Sequence, residues 1–262
     1  MSLILRSLTA LAAPAGPTSK LSVFYFHRVL EKPDPLLPYE PDARMFDRML
    51  GWIGSQFRVL DPLEACDRLY GGTLPSRPAL ITFDDGYRDN YTVALPILQR
   101  HGVKAAFFVA TGFLNGGMMF NDRVIEAVRN ASADSLTMPG TSERWPLKSL
   151  QDRREAINRV LKAIKHLSPY DRDQRVRAPE SEFGKHSGPR MMMDPGELAK
   201  LHKAGMRIGG HSRTHPILCA FSTHVGVATR ASNRAMLPRF TPWDRSQWRF
   251  QLRALRNAVE IR

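Results

Sequence analysis

Of the chain's 262 residues, 43% are hydrophobic and 24% charged, enough for a real core in one large domain or two small ones. Its apolar runs fall short of the roughly 20 residues of a membrane span, and Cys66 and Cys219, far apart and outside any CxxC pair, exclude a disulfide framework and a thiolate zinc site. The formal net charge of +13 favours anionic partners such as lipid or acidic polysaccharide, but the basic residues are scattered and no nucleic-acid module is recognisable, so no nucleic-acid partner is expected.

The opening "MSLILRSLTALAAPAGPTSK" loosely resembles an export signal, but Arg6 and Ser7 break its short apolar stretch, so it reads as an amphipathic or frayed extension over residues 1–20. The remainder, 21–262, reads as one domain. "LSVFYF" is rich in aromatic and β-branched residues and predicts a strand ending at His27. Helices are expected over Met45 to Phe57 and over "DPLEACDRLYGG", the latter with Asp61 as N-cap and a stop at Gly71. Ala79 to Phe83 is a second strand, "NYTVALPILQRHG" a helix with Pro96 an oddity inside it, and "VKAAFFVA" a third strand. Strand and helix alternate, which favours a parallel sheet or barrel with helices outside. The middle is helical by spacing in "NDRVIEAVRNA" and "LKSLQDRREAINRVLKAIKHL". Ser168 to Arg190 is polar and broken by Pro and Gly, and reads as a lid-like loop. A helix capped by Asp194 with Pro195 at its first position, a short strand "MRIGGH" and a final amphipathic helix from about Pro242 follow.

Two stretches carry chemistry. "TFDDGY" ends an apolar strand on two adjacent carboxylates, Asp84 and Asp85, whose mutual repulsion calls for water or a cation. "GGHSRTHP" holds His211 and His215 four residues apart, a spacing that puts both imidazoles on one side of a helix or tight turn. Two imidazoles and a carboxylate form a common set for a divalent transition metal. Both stretches follow predicted strands, and in barrels of alternating strands and helices the strand ends share one rim. One carboxylate can then bind the ion while the other stays beside it as a base.

These two motifs resemble the first two motifs of the polysaccharide deacetylases, the NodB-homology or carbohydrate esterase family 4 group, and the likeness runs from about Leu21 to Leu218 with a family-like tail from about Leu237. The resemblance implies an α/β fold, a deformed (β/α) barrel, and removal of acetyl groups from an N-acetylated polysaccharide with a divalent metal, usually zinc. It implies Asp84 as general base and Asp85, His211 and His215 as metal ligands. His27, at the end of the first strand, is the candidate proton donor, as a similar histidine is in relatives acting on poly-N-acetylglucosamine. Departures are also visible. The long stretch that follows HxxxH in the family, with an Arg or Tyr before Pro, is not recognised, so an internal deletion and an incomplete barrel are expected, with the residue that orients the base unassigned. A degenerate domain that binds metal or glycan, and a related amidohydrolase of small cyclic amides, are the alternatives. A cytoplasmic or membrane-peripheral location, with contact to an anionic membrane surface, is expected from the charge.

Overall fold

A computed structural model describes residues 2–114, 116–137, 143–183, 190–211, 225–233, 236–242 and 244–259. His215 and Cys219 lie outside these residues. In chain order the elements are α1 (Ser2–Ala12), β1 (Ser22–Phe26), α2 (Ala43–Gln56), β2 (Arg58–Val59), α3 (Pro62–Gly71), β3 (Pro78–Phe83), α4 (Leu95–Arg100), β4 (Ala106–Val109), α5 (Phe120–Asn130), β5 (Ser135–Thr137), β6 (Arg144–Pro146), α6 (Leu150–Ile164), α7 (Pro169–Phe183), α8 (Pro195–Lys203), β7 (Arg207–Gly210) and α9 (Gln247–Val259). They fall into two compact units: 34–38 with 117–191, and the rest of the chain.

The larger unit is built on a parallel sheet in the order β1-β3-β4-β7, with β2 pairing beside the start of β3. β3 is buried along its whole length, as a central parallel strand must be, which is why it reads as the unbroken apolar run "PALITF". Phe24, Phe26, Phe83 and Phe107 share one face. The Phe83 and Phe107 rings stack with centroids 4.7 Å apart, and Phe26 stacks on Phe83 at 5.5 Å. This face packs on α2, α4, α8 and α9 through Phe46, Ile53, Leu98, Leu201 and Phe250. Side chains alternate along a strand, so Val23 and Leu80 point to the other face, where Ala65, Leu69, Ala228 and Leu237 cover them. A segment near the C-terminus extends the sheet past β1. Leu21 bridges Ala228 antiparallel and Phe24 bridges Phe240 in parallel, with Phe240 N–H donating to the Val23 carbonyl at 3.0 Å. Among the described residues no strand pairs with the outer edge of β7, so the sheet is open: an α/β, incompletely closed barrel, as expected.

Local signals explain most element ends. Asp42, Asp61 and Asp194 cap α2, α3 and α8 by accepting backbone N–H bonds, and Pro195 begins α8. The stop of α3 falls on Gly72, left-handed at φ +70°, one residue later than the predicted Gly71. Pro96 does lie inside the helical stretch, as expected. A wide π turn over Asn90–Ala94 precedes α4 and puts Pro96 in the first turn, where no N–H is needed.

The smaller unit packs α5, α6 and α7 with the β5–β6 hairpin around Val124, Val128, Leu136, Ile157 and Val160. The expected loop over Ser168 to Arg190 is corrected here, because Pro169–Phe183 is helical. The Ser168 hydroxyl accepts the Asp171 N–H at 3.1 Å and so caps α7. Val176 is fully buried, and an Arg123–Asp173 ion pair (2.5 Å) ties α5 to α7. Among the described side chains, Val176 and the ion pair of Asp173 hold a helix whose polar sequence gives little apolar periodicity.

Candidate metal and catalytic site

The sheet register sets up the site. Phe26 pairs with Phe83, and the ladder continues one residue further as the Asp84 N–H donates to the Phe26 carbonyl at 2.9 Å. The chain then turns through two consecutive left-handed residues, Asp85 (φ +76°) and Gly86 (φ +86°). The Asp85 carbonyl accepts the Ala110 N–H at 3.1 Å and the Gly86 carbonyl the Met193 N–H at 3.1 Å. A Cβ at position 86 would lie 2.7 Å from Val109 Cγ1, so this turn requires glycine both for its backbone angle and for its closeness to β4. Both carboxylates end up buried.

On the neighbouring edge the His211 N–H continues the ladder by donating to the Val109 carbonyl at 2.8 Å. Gly209 and Gly210 do not turn the chain after the strand. Instead both belong to β7, and Gly209 makes room for the Phe108 ring, which a Cβ there would approach to 2.7 Å. His211 Nε2 faces Asp85 Oδ1 at 3.4 Å, and both side chains are buried. Two ligands about 2.0–2.1 Å from a tetrahedral ion are separated by roughly 3.3–3.4 Å. The spacing of the carboxylate and imidazole matches that of two ligands of such an ion, and their donor types suit zinc. His215, the third expected ligand, lies outside the described residues.

Asp84 has a different partner. Arg239 donates from both terminal nitrogens to the two carboxylate oxygens, at 2.8 and 2.6 Å, across 155 residues of sequence. Both side chains are buried, and the fork offsets the carboxylate charge while fixing its plane. Asp84 and Asp85 thus divide the expected work: one is held by a guanidinium and the other faces an imidazole. Arg239, which the sequence reading did not single out, is the residue that fixes the orientation of the Asp84 carboxylate. It sits in "LPRFTP", one residue before the Phe240 bridge that anchors the segment beside β1. An arginine inside an apolar stretch was the available signal, since such a side chain needs a buried acid.

His27 follows β1 on the face that carries Tyr25, and its carbonyl accepts Asn90 Nδ2 at 2.9 Å. Arg28 beside it pairs with Asp89 at 2.8 Å and lies over the Tyr87 ring. Burial pushes the Asp89 carboxyl up, against the pull of Arg28. Burial likewise pushes Glu40 up, with the charges of His27 and Arg28 opposing it. Two acids with weakened acidity therefore stand near the candidate proton donor.

The site lies at the C-terminal ends of parallel strands and joins two adjacent acids to a histidine from the next strand but one. The polysaccharide deacetylase family profile matches residues 71–253, and the chain belongs to that family. A relative, the "Putative polysaccharide deacetylase YxkH" of Bacillus subtilis (strain 168), is 33% identical over 93 residues, 35% of this chain and 32% of that protein, so the match spans about a third of its length. Similar solved structures include the Streptococcus pyogenes deacetylase PplD in complex with acetate, with 17% identity, a TM-score of 0.41, and coverage of 86% of this chain and 92% of that one. IcaB from Ammonifex degensii has 18% identity, a TM-score of 0.40, and coverage of 95% and 99%.

Proposed function

We propose that the chain hydrolyses acetyl groups from an N-acetylated polysaccharide, using a divalent ion, zinc by its donor set, held by Asp85, His211 and His215. The observation that carries this reading is the pairing of an Arg239-held Asp84 with an Asp85–His211 ligand pair on one rim. When bound, the ion supplies Lewis acidity toward the acetyl carbonyl and the attacking water. Asp84 is the base. A carboxylate offers about four lone-pair sites; the Arg239 fork uses two, and the others remain to accept the water's proton. His27 gives a proton to the departing amine as the C–N bond breaks, so that acetate and a free amino sugar leave.

The test is acetate release from N-acetylglucosamine oligomers, measured together with metal content. Asp84→Asn should keep its metal and lose turnover by about 10²-fold or more. Asp85→Asn should lose metal first, because an amide oxygen donates less to a cation. Absence of acetate release from folded, metal-loaded protein on every N-acetylated glycan tried would overturn the reading.

A further inference from the structure

We infer that the adjoining outer faces of α1 and α9 form a docking surface for an anionic lipid bilayer. The inference does not depend on the proposed catalysis. α1 packs along α9, and the buried Gln56 amide ties them by donating to Thr9 Oγ1 at 2.9 Å and to the Gln251 carbonyl at 3.1 Å. α1 turns Leu5 and Thr9 inward. Its Ile4, Leu8 and Leu11, at i, i+4 and i+7, form an outward stripe with Leu3 beside it, and Leu3 and Leu11 are 76% and 78% exposed. α9 repeats the pattern. Phe250, Ala254 and Ala258 face the core, while Trp248, Leu252 and Val259 share an exposed stripe. Single exposed apolar residues need no explanation, but two neighbouring stripes do.

Charge selects the occupant. Arg6 on α1 and Arg249 and Arg256 on α9 are exposed, Arg249 lies over the Trp248 ring, and neither helix contains an acidic residue. A two-fold contact with a second copy would set this patch against itself, arginine facing arginine with no acid on either helix. A purely ionic partner would leave the leucines and the tryptophan in water. An anionic bilayer satisfies both, with apolar side chains below the headgroups and guanidinium groups among the phosphates. The surface lies on a membrane rather than spanning it, because no helix among the described residues is long and apolar enough to cross one.

The experiment is co-sedimentation of the full chain with vesicles of phosphatidylcholine alone or mixed with phosphatidylglycerol. The wild type should pellet with the mixed vesicles only, and less so at high salt. Leu8→Glu combined with Leu252→Glu should lower partitioning at least about tenfold. Arg249→Gln combined with Arg256→Gln should lower it roughly thirtyfold. Circular dichroism checks that each variant is folded. Wild-type partitioning in the folded arginine variant would overturn the inference. So would a dimer in solution that these substitutions dissociate, since a second copy would then cover the face.

Discussion

The Arg239 guanidinium sits 4.4 Å from the centroid of the Tyr25 ring, and the same ring meets His27 edge-on at 5.6 Å. One aromatic side chain of β1 thus touches both the residue that orients the candidate base and the candidate acid. Tyr25→Leu should lower acetate release about tenfold through a loosened guanidinium, whereas Tyr25→Phe should stay near wild type. Equal rates for the leucine variant and the wild type would show that the ring positions neither group.

Breaking the Asp84–Arg239 pair should be costly to the fold as well as to turnover. Arg239→Gln leaves a buried carboxylate without its counter-charge, a loss of about 3–5 kcal/mol. Arg239→Lys keeps a charge but not the fork, and should fall between the two. Combining Arg239→Gln with Asp84→Asn should recover part of the lost melting temperature. A double variant no more stable than Arg239→Gln alone would show that the charge is not the source of the cost.

Gly86→Ala meets two obstacles, a left-handed backbone and Val109 Cγ1 at 2.7 Å. It should destabilise by about 1–3 kcal/mol in urea unfolding. Adding Val109→Ala removes the contact but not the backbone strain and should return only part of the loss. Full recovery would mean that the φ angle costs nothing.

Asp61 caps α3 and also receives Arg207 of β7 at 2.8–3.1 Å. Burial alone would push its carboxyl up, but the Arg207 guanidinium and the Leu63 N–H hold it below the ordinary carboxylate range. A depressed folded value means the stabilisation is present above the unfolded pKa, about 3.9, and is lost as pH falls through the lower folded value. Asp61→Asn retains a cap but loses the charge. It should melt a few degrees below wild type at neutral pH, with the gap closing below about pH 4. A gap that is constant with pH would rule out the ion pair as its cause.

Strands β1 and β3 and the capped helices were legible because their causes are local: an unbroken apolar run, or an aspartate just before an apolar stripe. The same holds for "DDG" and for His211 at the end of "MRIGG". β2, only two residues long, was invisible because it exists through its neighbour β3. α7 was missed because its stability comes from Val176 and Asp173 against α5, not from its own pattern. Arg239 was missed because nothing near it in sequence names its partner.

The same separation has a consequence for synthesis. Asp84 leaves the ribosome 155 residues before Arg239, which at about 5–20 residues per second is roughly 8–30 seconds. During that interval the nascent sheet can pair β1, β3 and β4, but it carries two adjacent acids without the guanidinium that offsets one of them. A nascent chain stalled in that interval would hold the acids and lack their restraint, so the centre cannot be finished until the segment that carries Arg239 has been made.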